Sequence, residues 1–164
     1  MPESLTNKKR SRPDWLKIRL DTSYDFIRTR QLMRTQGLNT VCEEARCPNI
    51  YECWGRQTAT IMILGDICTR SCGFCSVKTG KPTIVDWGEP HRTAKAIKAM
   101  ELRHVVITSV DRDDLKEDYG AEIWAETIYA VRKLTPECTI EVLTPDFRNH
   151  TPAFEKVFRA RPNI

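Results

Sequence analysis

With 164 residues, 40% of them apolar and 29% charged, the chain has the composition of an ordinary globular domain and the length to bury a core. No apolar run approaches the roughly 20 residues of a membrane-spanning helix, which argues against a membrane protein. The net charge of +4 is modest, and much of the excess sits in Lys8, Lys9, Arg10 and Arg12, a pattern more typical of a solvated tail than of a nucleic-acid patch. The chain starts Met-Pro-Glu without an apolar h-region, so no secretory or transit peptide is expected and the reducing cytoplasm is the expected compartment. Its seven cysteines are an odd number in a chain too long to need staples, so metal ligation is expected rather than a disulfide framework.

In chain order, residues 1–22 read as a polar, basic extended arm with one apolar anchor, Trp15-Leu16. Ser23 can cap a helix running to about Met33 or Arg34, with Tyr24, Ile27 and Met33 as its apolar points and Gly37 as its stop. Cys42, Cys47 and Cys53 follow at C-x4-C-x5-C spacing. Pro48 suits the first turn of a short helix that carries Cys53 back toward Cys47. Alone this spacing says little, because buried cysteines are common; beside a second triplet it asks for a metal.

From residue 58 the pattern turns to α/β. Short apolar strands are predicted at 60–64, 104–110 and 139–144, with helices at 90–100 and 121–134. The second helix has Ile123, Trp124, Thr127, Ile128, Val131 and Leu134 on one stripe. A third is predicted with Thr151 as cap, Pro152 at its first position, and Phe154, Val157 and Phe158 inward. This is the rhythm of βα units with parallel strands, an architecture that gathers its chemistry at the C-terminal strand ends.

The loop after the first of these strands is Gly65-Asp66-Ile67-Cys68-Thr69-Arg70-Ser71-Cys72-Gly73-Phe74-Cys75. Three thiolates on one tight loop can hold three irons of a [4Fe–4S] cube and leave the fourth iron open to a ligand. Zinc is the alternative, although its sites usually take four ligands from paired Cys or His knuckles. The second strand runs into Thr108, Ser109, Asp111, Asp113 and Asp114, whose hydroxyls and carboxylates can receive an ammonium group or merely cap the next helix. Glu141 lies inside the third apolar run, where a carboxylate facing a barrel interior needs a ligand hydroxyl, an Arg or a Lys. Cys138 reads as an isolated core or surface thiol.

C-x3-C-x2-C with an aromatic before the last cysteine is the signature of radical S-adenosylmethionine enzymes. The runs Glu44-Ala45-Arg46-Cys47-Pro48-Asn49, Gly65–Cys75, Pro13-Asp14-Trp15-Leu16, 108–115 and Glu141-Val142-Leu143-Thr144-Pro145-Asp146-Phe147 resemble the lipoyl synthase family within that superfamily. The resemblance implies a partial radical-SAM (βα) barrel over residues 58–164, comprising its first three βα units, and an N-terminal extension over 1–57. It implies two [4Fe–4S] clusters, one on Cys68, Cys72 and Cys75 that cleaves S-adenosylmethionine, and an auxiliary one on Cys42, Cys47 and Cys53 that gives up sulfide. Phe74, Thr108, Ser109, Asp111 and Glu141 are the expected cofactor contacts. The implied substrate is an octanoyl chain on lipoyl carrier domains, namely dehydrogenase-complex E2 subunits and the glycine cleavage H protein. The implied electron donor is reduced ferredoxin or flavodoxin; no membrane and no nucleic acid are expected as partners. Family members run well past 164 residues, through further βα units and a serine that completes the auxiliary site, so an incomplete catalyst is expected. A smaller departure is Tyr119-Gly120, where the family pattern has paired glycines. Two other classes stay open: a two-cluster electron-transfer protein, disfavoured because ferredoxin runs supply four ligands per cluster, and a zinc-dependent nucleic-acid binder, whose basic arm offers one aromatic, Trp15.

Overall fold

The computed structural model describes residues 23–56 and 58–164, together with Pro13, Lys17 and Leu20. The basic run and Trp15-Leu16 lie outside the described residues. In chain order come α1 (Tyr24–Thr35), β1 (Asn39–Thr40), α2 (Val41–Glu44), α3 (Ile50–Gly55), β2 (Thr60–Ile63), β3 (Ile67–Cys68), β4 (Lys78–Thr79), α4 (Glu89–Ala99), β5 (His104–Ser109), α5 (Ala121–Leu134), β6 (Thr139–Leu143) and α6 (Thr151–Arg159). No described helix is long and apolar enough to cross a membrane.

The mixed α/β pattern is borne out, with the main sheet ordered β1-β2-β5-β6. Strands β2, β5 and β6 are parallel, with Ile61 beside Ile107 and Ile107 beside Val142. This is the register expected when α4 and α5 serve as crossovers between neighbouring strands. One sheet face, Ile61, Ile63, Val105, Ile107 and Ile140, is fully buried in a core shared with Ile97, Ile123, Trp124 and Ile128. The opposite face carries Thr60, Val106, Thr108, Glu141 and Leu143, all at least partly exposed, and corresponds to the interior of a barrel.

The β2 edge of this sheet is covered by β1, which pairs antiparallel with it through Asn39 to Met62 and Thr40 to Ile61. At the other edge, Ile164 donates to the Ile140 carbonyl at 3.2 Å and accepts from the Val142 amide at 2.9 Å. That is the start of a further parallel pairing.

Two helices face otherwise than predicted. Ser23 caps α1 as expected, accepting from the Phe26 amide at 3.3 Å. Its buried points, however, are Phe26, Thr29 and Met33, while Tyr24 is 78% exposed and Ile27 is also exposed. The reason is α3: Phe26 stacks on Tyr51 at 5.1 Å and lies against Trp54 at 5.6 Å, which fixes the helix rotation. In α6 the cap position falls on His150, with Thr151 and Pro152 as its first two residues, and Ala153 and Val157 face inward. Phe158 is 66% exposed rather than buried.

Tyr119 and Gly120, before α5, both have positive φ, +55° and +87°. Glycines tolerate that region freely and a tyrosine does not, so a glycine pair would suit the turn. Gly120 also lies against Leu64 at the end of β2, and an added Cβ would stand 2.6 Å from Leu64 Cδ1. Gly120→Ala is therefore expected to destabilise the chain by roughly 1–3 kcal/mol, from strained φ together with overpacking. The urea midpoint of unfolding measures this, and an unchanged midpoint contradicts the packing described.

Candidate functional site

Strand β2 ends in a turn that only an unusual backbone can make, with φ of +69° at Leu64 and +91° at Gly65. Two buried charged groups hold it. Glu89, 4% exposed at the start of α4, accepts from the Leu64 amide at 2.7 Å and from the Gly65 amide at 3.4 Å. Arg112, 3% exposed in the loop after β5, donates to the carbonyls of Leu64 at 3.4 Å and Ile84 at 3.2 Å. It also forks onto Asp114 at 2.9 and 2.8 Å.

Beyond the turn, β3 and β4 pair in parallel and close the cysteine loop on itself, Ile67 beside Lys78 and Cys68 beside Thr79. Cys68 is half-buried, and Cys72 and Cys75 are exposed on a turn in which the Cys75 amide donates to the Cys72 carbonyl at 3.0 Å. Phe74, between them, is 94% exposed. All three cysteines, with Phe74, Arg70 and Ser109, line one cavity of about 150 Å³. The Ser109 hydroxyl is buried with no partner among the described residues. Cys68 Sγ accepts from the amides of Arg70 and Asp111, each at 3.4 Å.

The cavity sits at the C-terminal end of the parallel strands, and the three loops there are tied together. Thr69 and Asp111 are joined by two bonds to the Asp111 carbonyl, from the Thr69 amide and hydroxyl at 3.0 Å each. The Asp113 amide donates to Thr69 Oγ1 at 3.0 Å. Arg70 forks onto Asp113 at 2.9 and 2.8 Å and onto Asp146 at 2.9 and 2.7 Å. Arg70 holds the Asp146 carboxyl down at about 2, helped by the Arg148 amide, and holds Asp113 below its ordinary value too. Burial acts oppositely on Asp111 and raises it, although Arg70 Nη1 lies 3.5 Å away. After Asp146 the chain makes a turn of three left-handed residues, Phe147, Arg148 and Asn149, at φ +40°, +51° and +60°. Such residues cost about 1–2 kcal/mol each and persist only where the surroundings hold them. Here Phe147 is buried and edge-on to Phe154 at 5.1 Å, and Arg148 reaches Asp113 at 3.3 Å.

The remaining expected contacts divide. Thr108 faces the barrel-interior side but donates its hydroxyl to the Leu143 carbonyl at 3.0 Å. Glu141 lies on the same side, and its partner is His104 on the neighbouring strand, Nε2 to Oε2 at 3.1 Å. A histidine was not among the partners weighed from sequence.

The other cysteine set is built on two short helices. Thr40 caps α2, accepting from the Glu43 amide at 3.2 Å, and Cys42 is that helix's second residue. The Cys47 amide returns to the Cys42 carbonyl at 3.0 Å, and Asn49 takes the cap position of α3, which carries Cys53, so that Pro48 stands ahead of the helix rather than in its first turn. All three are half-buried. Burial pushes the Cys53 thiol up, and the neighbouring Cys42 and Cys47 push it further, so the three are mutual neighbours. Cys138 stands apart in the core.

Residues 62–163 match the Radical SAM superfamily. The chain belongs to that superfamily. Residues 3–47 match the N-terminal domain of lipoyl synthase of the Radical SAM family. A lipoyl synthase of Symbiobacterium thermophilum is 58% identical over 153 residues, 93% of this chain and 48% of that protein. One of Shouchella clausii is 55% identical over 166 residues, 100% of this chain and 53% of that protein. A mitochondrial lipoyl synthase of Nematostella vectensis is 49% identical over 162 residues, 99% of this chain and 55% of that protein. The chain thus spans about half the length of the curated relatives it matches, and corresponds to their N-terminal portion.

For a radical SAM protein the donor chemistry can be tested against the geometry. Among the described residues, no three His, Cys, Asp or Glu side chains converge as a single-ion site requires. A cube places each thiolate on a different iron, so its ligands stand apart around a cavity rather than meeting at a point. Cys68, Cys72 and Cys75 around one cavity fit that description, and Cys42, Cys47 and Cys53 offer a second all-sulfur set. Sequence reasoning missed Glu89, Arg112 and the Arg70 forks. Arg70 stood in the quoted motif, but its partners lie 43 and 76 residues away.

Proposed function

We propose that the chain supplies the cluster-bearing part of a lipoyl synthase, which inserts two sulfur atoms into the octanoyl chain of a lipoyl carrier domain. The observation that carries this is the pair of separate cysteine triplets, neither with a local fourth thiolate, one of them at the C-terminal end of parallel strands. Cys68, Cys72 and Cys75 are assigned to the cluster that binds S-adenosylmethionine; Cys42, Cys47 and Cys53 are assigned to the auxiliary cluster. With both groups bound, the chemistry supplied is a carbon-centred radical that takes hydrogen from unactivated C–H bonds, and a sulfide close enough to trap the alkyl radical.

The protein's own residues orient and enclose. Ser109 and Asp111 stand beside the cysteine cavity, where a hydroxyl unpartnered among the described residues and a half-buried carboxylate suit the polar end of an amino-acid ligand. Phe74 offers a ring face beside Cys75, while Thr108 and Glu141 lie on the barrel-interior side further along β5 and β6. Carrier domains of dehydrogenase-complex E2 subunits and of the glycine cleavage H protein are the proposed substrates. Reduced ferredoxin or flavodoxin is the proposed donor, and the cytoplasm is the proposed compartment. Residues 1–57 form the proposed extension and 58–164 the proposed barrel portion.

In a protein of the relatives' full length, anaerobic reconstitution should load about two cubes per chain, about eight irons with matching acid-labile sulfide. Substituting Cys68, Cys72 and Cys75 together should remove half of the iron. Zinc in place of iron, or loss of all iron on that substitution, would sink the two-cluster assignment.

A further inference from the structure

We infer that Arg70 is a positioning residue that fixes the cysteine loop to the ends of β5 and β6, and that Asp113 and Asp146 are its two anchors. The inference rests on the reading of this loop as a cluster holder, and goes beyond it to how the loop is held. Arg70 lies between Cys68 and Cys72, and its guanidinium makes four charge-assisted hydrogen bonds of 2.7–2.9 Å, two to each carboxylate. Asp113 comes from the loop after β5 and Asp146 from the loop after β6, so one planar cation joins three loops that lie far apart in sequence, beside the Thr69 bonds to the β5 loop. A forked donor suits this best, because a planar guanidinium can offer two parallel bonds to each carboxylate, whereas an ammonium is a point charge that fixes neither carboxylate plane. The carbonyl of Arg70 accepts from Thr79 Oγ1 at 3.1 Å and its amide faces Cys68 Sγ, so the residue is held at both backbone and head. Turning or releasing the fork therefore moves Cys68, and with it the iron it holds, relative to Ser109 and Asp111. The tip of the loop adds no apolar packing of its own, since Cys72, Gly73, Phe74 and Cys75 are all exposed.

The test has an arm that needs no cluster. In the metal-free chain, hydrogen exchange of the Thr69 amide, which is bonded to the Asp111 carbonyl, should quicken about tenfold in Arg70→Ala, ~1.4 kcal/mol of opening free energy. The Val110 amide, just past β5 and bonded to the Ile63 carbonyl at 3.3 Å, should be unchanged and serves as the control. Arg70→Lys should recover less than half of the protection on a logarithmic scale, and Asp146→Asn combined with Arg70→Ala should add nothing to Arg70→Ala alone. In reconstituted protein with Cys42, Cys47 and Cys53 replaced, Arg70→Ala should also alter the paramagnetic resonance spectrum of the reduced cluster and hasten stripping of its iron by a chelator. Unchanged Thr69 exchange, full rescue by lysine, or equal quickening at Val110 overturns the positioning role. If the unsubstituted loop takes up no iron, the cluster reading fails, while the exchange arm still decides whether Arg70 clamps the loop.

Discussion

Replacing Cys68 by alanine, in a protein of the relatives' full length, is expected to abolish cleavage of S-adenosylmethionine, while replacing Cys47 leaves cleavage and abolishes only lipoyl formation. The two sets are built on different elements: Cys68 belongs to the small β3–β4 pair after β2, and Cys47 to the turn between α2 and α3. Cys68 is also the one loop cysteine that is half-buried, and it receives two backbone amides. On the proposed assignment, its loss removes a ligand and the best-held sulfur together. A fall in cleavage of at least ~10³-fold, about 4 kcal/mol in barrier, is expected for Cys68→Ala and no more than about threefold for Cys47→Ala. Quantifying 5′-deoxyadenosine and the mass of the carrier in the same reaction separates the outcomes. If both variants lose cleavage equally while each keeps its other cluster, the division of labour is wrong.

What the sequence made legible follows from range. The alternation of strands and helices after residue 58 is carried by local periodicity, and α5 spans the predicted range, Ala121–Leu134. The cysteine triplets were legible because their spacing is local. The rotation of α1 was not, since Tyr24 and Ile27 offer as much apolar surface as Phe26, and the choice is made by Tyr51 and Trp54 on α3. Strand β1 is two residues long and exists by pairing with β2, so no periodicity announces it. The Glu141 partner had to be guessed for the same reason, since His104 lies 37 residues away on the neighbouring strand. Glu89 stands one residue ahead of the helix predicted over 90–100 and carries no sequence signal of its own. Only the fold reveals that its carboxylate turns inward onto the start of the cysteine loop.

That carboxylate supports a second expectation, on stability and on its pH dependence. Glu89→Ala removes the acceptor of two amides at a turn with two successive positive φ values. The Leu64 amide is buried with its short bond lost, and the Gly65 amide has the longer bond and partial access to water. Leaving a buried donor unpaired costs about 1–3 kcal/mol, so a loss of about 2–3 kcal/mol is expected for the pair. Glu89→Gln keeps one acceptor oxygen and should cost less. Burial pushes the Glu89 carboxyl above its ordinary 4.5, outweighing the two amides that pull it down. The folded chain thus holds this proton more tightly than the unfolded chain. The group's contribution to stability is full below the ordinary carboxylate value and declines as pH rises through the folded value. Glutamine has no proton to lose, so the melting temperature of Glu89→Gln relative to the parent should improve steadily from pH 4 to pH 7. Melting of the metal-free chain across that range measures both effects. A glutamine-to-parent difference that does not vary with pH, or an alanine variant as stable as the parent, shows that Glu89 does not hold the Leu64–Gly65 turn as a buried carboxylate.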